Sequence, residues 1–340
     1  MNTTSRRDLK AAFDYNGKRY ILKGFLHLRY GTFPGEVEVT SINDIPTQQI
    51  LPGMPEITYS YTLQHLLILP TRPLAASFTL KMDGTAVLFS PLSLPTGEVV
   101  VFPRTRGMVV MQDTQWRPLR TLVNQALSDN LLERITQVCQ QQKATLVFEL
   151  WGSINPHTVQ YHIPLQLSLH TMIKGRTITQ PWRLVKQVAK AYDIPTVDEL
   201  VRLVPPHLSE DSLMNVGQEL VNQQEKQNNP QMGLYRQEGI VLNVETPSKG
   251  FQWKFKPPSM EEYHQLARVK ICPVTVFHSI WKMVDHGENI SLAALQENMA
   301  KEYGKDTVLE QLTMIEHHYW LWYSNYFAQI VAAVDVQSDK

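Results

Sequence analysis

The chain has 340 residues, 43% hydrophobic and 19% charged, with Lys+Arg 32 against Asp+Glu 32 and no formal net charge. That length exceeds one ordinary core and suits two or three domains, while the charge balance excludes a uniformly basic nucleic-acid binder and leaves only local patches. The two cysteines, Cys139 and Cys272, lie in no C-x-x-C or Cys/His cluster, which excludes a disulfide scaffold and a structural zinc site and fits a reducing cytoplasm.

The start, "MNTTSRRDLK", has no apolar stretch behind its arginines, so a signal peptide is not expected. No apolar run approaches the roughly 20 residues of a membrane span. Residues 1–75 read as β-rich, with Asn16-Gly17 a hairpin turn in "FDYNGKRYIL". A proline-studded connection (Pro46, Pro52, Pro55, Pro70, Pro73) follows. Strand patterns resume from Phe78 to Val110 and break at "SLPTGE". Residues 118–142 turn helical, with Leu119, Leu122, Val123, Ala126, Leu127, Leu131, Ile135 and Val138 largely on one face. "ATLVFELWG" and "TVQYHIPLQLSLHTMI" read as strands. Residues 181–228 read as helices punctuated by "DIPT" and "VPPH", and a hairpin is expected in "YRQEGIVLNVETPSKGFQWKFK". Pro257 and Pro258 stop that hairpin, and from Met260 onward the pattern is helical. The expected units are 1–75, 76–258 and a helical 259–340.

One stretch inside the strand-rich region stands out. "LKMDGTAVL" sets a lysine, an aspartate and a glycine within an apolar run. A lysine is rarely buried without a partner or a task, and glycine weakens a strand it interrupts. Further along, "FPRTRG" places Arg104 and Arg106 beside a glycine, and "LVFELWG" puts Glu149 in an apolar strand. "QEGIVLNV" puts Glu238 at the start of another, and "FQWKFKPP" spaces Lys254 and Lys256 two residues apart, on one face of a strand. Taken singly, each reads as a solvated edge or face.

Together and in this order they resemble the covalent nucleotidyltransferase superfamily of ATP-dependent ligases and capping enzymes, in its RNA ligase branch. "KMDG" is similar to the nucleophile motif K-x-D-G, and "RTRG" to the short basic motif that follows it. "FELWG" resembles the ribose-contacting motif, "EGIVL" the E-G-x-V motif and "WKFK" the closing K-x-K motif. The resemblance spans roughly residues 75–258. It implies an α+β fold, with an ATP-grasp-like nucleotidyltransferase domain of antiparallel sheets and flanking helices, followed by an all-helical C-terminal domain.

The activity it implies begins with a lysine attacking the α-phosphate of ATP, giving a lysyl–AMP phosphoramidate and pyrophosphate. Lys81 is then the nucleophile, and Arg106 contacts the nucleotide or a 5′-phosphate. Glu149 would accept a hydrogen bond from a ribose hydroxyl, and Glu238, with Glu149, would help hold a divalent metal. Lys254 and Lys256 would bind the α-phosphate, and nearby cations would lower the pKa of the nucleophile. Asp83 and Gly84 complete the nucleophile motif, with Gly84 letting backbone approach the nucleotide. The backbone of Phe78, Thr79 and Leu80 would read the adenine edge. Hard oxygen ligands and phosphate point to Mg²⁺ or Mn²⁺. The segment "IPLQLSLHTMIKG", where the family packs a side chain against adenine, has no aromatic ring except His170, which reads more simply as a strand histidine.

The helical tail departs from the OB-fold that follows K-x-K in DNA ligases and capping enzymes. It favours an RNA ligase, acting in RNA repair on 5′-phosphate and 3′-hydroxyl ends. A DNA ligase, a GTP-using capping-type enzyme, and a non-catalytic protein that binds nucleotide or RNA ends are the alternatives. The aromatic cluster "YWLWYSNYF" (319–327) reads as tail interior in preference to a base-stacking surface. No G-x-x-x-x-G-K-[ST] loop is present, so end-healing enzymes would be supplied separately.

Overall fold

The computed structural model describes residues 6–27, 34–60, 67–113, 118–128, 130–155, 157–229, 235–266, 271, 275–277, 279, 280, 283 and 290–324. The first four strands are β1 (Arg6–Tyr15), β2 (Lys18–His27), β3 (Glu36–Ile42) and β4 (Ile45–Leu51), paired in that order as one antiparallel sheet. Asn16 and Gly17 close the β1–β2 hairpin with φ of +49° and +72°, the left-handed pair that a two-residue turn demands. The connection read as proline-studded loop is partly strand. Pro46 is tolerated in β4 because β4 is a sheet edge, where a missing N–H breaks no ladder.

Next come β5 (Thr58–Tyr59), β6 (Ala75–Leu80), β7 (Thr85–Ser93) and β8 (Val99–Arg104), then helices α1 (Leu119–Ala126) and α2 (Leu131–Gln142). The single helical stretch expected over 118–142 is therefore broken, with Asn130 at φ +64° between the two helices. β9 (Ala144–Trp151), β10 (Gln166–Lys174) and β11 (Ile178–Thr179) lead to α3 (Trp182–Ala191). β12 (Glu199–Leu203), α4 (Glu210–Glu225), β13 (Ile240–Glu245) and β14 (Gly250–Phe255) follow, and α5 (Pro258–Leu266) begins where the prolines stop β14. β12 corrects the all-helical expectation for 181–228. Four of its five residues pair with the open edge of β6, past a bulge at Leu200, and a segment that short takes its conformation from its partner.

Two five-stranded sheets carry the centre of the molecule, ordered β11-β10-β9-β7-β8 and β12-β6-β13-β14-β5. Period-two alternation sends Val87 and Phe89 of β7 into a core with Leu122 of α1, Ile135 and Val138 of α2 and Trp182 of α3, while Leu88 joins Val147 and Ile173 on the opposite face. α4 covers the second sheet through Leu213 and Val221, packed on Phe78, Leu242 and Phe255. Its start is capped by the Ser209 hydroxyl, which accepts from the Ser212 N–H at 3.1 Å. The first sheet packs on Leu92, Val100 and Phe102, and Arg176 pairs with Glu36 through two contacts of 2.6 and 2.8 Å.

α5 is tied down by Ser259, whose hydroxyl donates to Glu225 at 2.7 Å. The tail helices Leu292–Tyr303, Lys305–Glu310 and Leu312–Trp322 share a core that includes Leu295, Ile315, Tyr319 and Trp322. Of the aromatic cluster, Tyr319 and Trp322 are interior and Trp320 is exposed, while residues 325–327 lie outside the described residues. No strand follows β14 among the described residues. No helix of theirs is long and apolar enough to cross a membrane.

Candidate active site

Lys81–Gly84 is the step from β6 to β7, and so from one five-stranded sheet to the other. The apolar residues on either side belong to two different ladders, which is how a lysine comes to interrupt them. The Lys81 N–H donates to the Gly239 carbonyl at 3.0 Å, joining the "KMDG" and "EGIV" segments through their backbones. Both motif glycines answer to backbone. A Cβ on Gly84 would lie 2.2 Å from the Leu150 carbonyl oxygen, and one on Gly239, at φ +147°, 2.2 Å from that of Phe255. Gly84 therefore permits the close approach of β9.

A cavity of about 250 Å³ opens between the two sheets. Thr79, Leu80 and Lys81 line it from β6 and its end, Glu149 and His170 from β9 and β10, and Gln252 and Lys254 from β14. Arg106 also faces it, and Met54, Ile57 and Val197 give it apolar walls. Arg104 does not take part. It is fully buried, with its guanidinium donating to the Gly35 carbonyl at 2.9 Å, the Ser90 hydroxyl at 3.3 Å and the Pro52 carbonyl. It staples loops.

The expected backbone reading of a base is largely foreclosed. β6 is flanked by β12 and β13, and the Leu80 N–H already donates to the Asp198 carbonyl at 2.9 Å. Side chains remain, and they form a network. The Thr79 hydroxyl donates to the Val241 carbonyl at 3.3 Å and accepts from the Asn243 amide at 3.1 Å. Gln252 in turn donates to Asn243 at 2.9 Å and to Thr171 at 3.2 Å.

At the centre, the Lys81 ammonium donates to one oxygen of Glu238, and Lys256 meets the other at 3.0 Å. Burial works against the Glu238 charge, but Lys81 and Lys256 outweigh it and hold its carboxyl down at about 2. Burial likewise opposes the Lys81 charge. Glu238 and Glu149 overcome it, so the pKa of Lys81 is raised. Glu149 has no such direct partner: burial, then Glu238 and Asp83 against the pull of Lys81, push its carboxyl up to about 8. Burial and the nearby Lys81 push His170 down to about 4, and its Nε2 lies 3.9 Å from Glu149. Burial, then Lys256 and Lys81, lower Lys254 to about 8, and its ammonium sits 4.2 Å above the Tyr59 ring.

Asp83 is held from the other side. It accepts the Val159 N–H at 2.8 Å, while its own N–H donates to the Tyr161 hydroxyl at 2.7 Å. Burial and Glu238 raise its pKa. Among the described residues no three His, Cys, Asp or Glu side chains are grouped to hold a metal. The carboxylates of Glu238 and Asp83 beside the cavity offer a hard cation one or two oxygens, which suits Mg²⁺, an ion that keeps water and phosphate oxygens as its other ligands.

Lys81, Glu238 and Lys256 are thus in contact. Glu149 and Asp83 act on them through their charge, and Thr79, Leu80, Arg106 and Lys254 share the cavity. Tyr59, Tyr161, Val197 and Gln252 escaped the sequence reading. For Gln252 a signal existed, since it precedes Lys254 and Lys256 at period two.

No family model matches the chain, and no curated protein does. Among solved structures, an archaeal ATP-dependent RNA ligase is similar at a TM-score of 0.53 and 15% identity, covering 98% of this chain and 77% of that one. A provisionally assigned ATP-dependent DNA ligase from Aquifex aeolicus follows at TM-score 0.48 and 14% identity, covering 91% and 77% of the two chains. A Naegleria gruberi RNA ligase variant, solved with ATP and Mn, gives TM-score 0.39 and 13% identity over 75% and 80%. The first of these likenesses shows the fold: a mixed α+β arrangement shared with the archaeal RNA ligase.

Proposed function

We propose that this chain is an ATP-dependent RNA ligase that joins 5′-phosphate and 3′-hydroxyl ends through a lysyl–AMP intermediate on Lys81. The observation that carries the reading is the contact of Lys81 with Glu238 and of Glu238 with Lys256. These groups stand up to 175 positions apart in sequence, from 81 to 256, and meet beside one cavity. Helices after Pro258, with no strand among the described residues there, support the RNA branch.

In the proposed first step Lys81 gives up its proton to solvent once Glu238 no longer holds its ammonium. The freed amine attacks the α-phosphorus of ATP, a P–N bond forms, the bond to the bridging oxygen breaks, and pyrophosphate departs. Lys254, Lys256 and Arg106 would balance the negative charge gathering on the phosphates, usually the larger part of the rate gain in phosphoryl transfer. Glu149 would serve a ribose hydroxyl and, with Glu238 and Asp83, is among the carboxylates at hand for a metal. A bound divalent cation would screen the phosphates and draw the Glu238 charge from Lys81, favouring the free amine. AMP would then pass to the 5′-phosphate of RNA, and a 3′-hydroxyl would displace it to close the phosphodiester.

The test is incubation with α-labelled ATP and Mg²⁺ followed by denaturation. A covalent label on the wild type, absent from Lys81→Ala, is expected; no label, or one that persists in the variant, overturns the reading. Offering nicked or single-stranded RNA and DNA to the adenylylated protein separates an RNA ligase from a DNA ligase, and GTP in place of ATP checks for a capping-type enzyme.

A further inference from the structure

A second concavity, of about 450 Å³, lies beside α3 and β12 and is lined by Arg183, Lys186, Lys190 and Arg202, with Thr196 and Ile194 at its base. We propose that this groove carries the phosphate backbone of the RNA strand, an inference that rests on the RNA ligase reading for the identity of the polyanion.

Three observations support it. The first is charge. No carboxylate lines the groove, and its four cations face two neighbouring carboxylates: Glu245, held between Arg202 at 3.0 Å and Arg183 at 3.4 Å, and Glu199, 3.1 Å from Lys186. Lys190 makes no ion pair with a described residue. In a chain of zero formal net charge, this is a local positive excess of the kind that phosphate contacts need.

The second is shape. Arg183, Lys186 and Lys190 stand at i, i+3 and i+7 on α3, so they form one stripe. Seven residues of helix rise roughly 10 Å, which matches about three nucleotides at roughly 3.4 Å per strand position. A single small anion would leave most of that stripe unused.

The third is position. The segment 194–198 separates the groove from the nucleotide cavity, with Thr196 facing the groove and Val197 the cavity. The carbonyl of Asp198 holds the Leu80 N–H, one residue before Lys81. A strand seated in the groove would lie one backbone thickness from the cavity that holds the nucleotide.

The experiment measures fluorescence anisotropy of a 5′-phosphorylated RNA oligonucleotide between about 50 and 200 mM salt. It compares wild type with Lys190→Glu, which disturbs no ion pair among the described residues, and with Lys186→Gln combined with Lys190→Glu. The double variant is expected to bind on the order of tenfold more weakly, and its slope of log affinity on log salt to fall by about 1.4, at roughly 0.7 per single-strand contact. The single variant should show about half that change in slope, and both variants should still form the lysyl–AMP adduct at the wild-type level. Unchanged affinity and slope in both variants would overturn the groove, as would RNA binding too weak to detect in the wild type. Failure of the wild type to form the adduct while the variants still lose RNA affinity would overturn the ligase reading and leave the groove standing.

Discussion

Glu238 holds the ammonium of Lys81 with one carboxylate oxygen and that of Lys256 with the other, the second at 3.0 Å, while being almost fully buried itself. The group that keeps Lys81 charged at rest is therefore also the one a metal would engage in the proposed reaction. The resting state is an ion pair, and the proposed reaction would require its release.

We predict that Glu238→Gln lowers the pKa of Lys81, because burial then meets less opposing charge. Acetylation of Lys81 by a small amine-reactive acyl donor such as acetic anhydride, mapped by mass spectrometry across pH, should reach half its maximal rate at a lower pH than in the wild type. Adduct formation with ATP should fall by roughly a hundredfold or more, since the same change removes the proposed metal ligand and the partner that positions Lys81 and Lys256. A Lys81 profile that shifts upward or stays fixed would contradict the ion-pair account.

Glu149 leads to a prediction of opposite sign for stability. Its carboxyl, ordinarily at 4.5, is pushed up to about 8 by burial, so the folded chain keeps a proton that the unfolded chain releases. That contribution is whole below about pH 4.5 and is lost as pH rises through about 8. Glu149→Gln, which has no such proton to lose, should match wild type near pH 4.5 and melt roughly 3–8 °C higher at pH 9, as differential scanning calorimetry would show.

Lys254 should set the alkaline limit of nucleotide binding. Its pKa of about 8 reflects burial first, and then Lys256 and Lys81. Affinity for a non-transferable α,β-methylene analogue of ATP, measured by isothermal titration calorimetry, should weaken as pH rises through about 8. Tyr59→Ala opens the ammonium to water and should move that midpoint up by roughly one unit or more.

The two arginines of "RTRG" should part company. Arg104→Lys keeps the charge but not the planar fork that reaches Gly35, Pro52 and Ser90. It should cost about 2–4 kcal/mol of stability in urea unfolding, because buried carbonyls lose their donors. Arg106→Ala should leave that stability within about 0.5 kcal/mol and weaken binding of the same analogue instead.

Charged groups within strand-like segments drew notice, but taken singly they read as solvated; it was their types in that order, resembling the ligase motifs, that marked out Lys81, Arg106, Glu149, Glu238, Lys254 and Lys256. Hairpin turns such as Asn16-Gly17 were as plain, since only certain residues accept positive φ. Position along the chain did not disclose that Arg104 is a buried staple, that Gly84 makes room for β9, or that Leu80 has already spent its N–H on Asp198. Nor did it reveal Tyr59 under Lys254 or Tyr161 against Asp83, for an aromatic residue carries no mark of its neighbour.

The chain alone thus determined which chemistry was on offer, through the types and order of a few ionisable side chains. Tertiary structure decided which of them share a cavity, what conformation short segments such as Glu199–Leu203 adopt, and which acids and bases hold their protons. Side-chain chemistry is a local property, whereas strand pairing, burial and the field at a buried charge depend on residues far away in sequence.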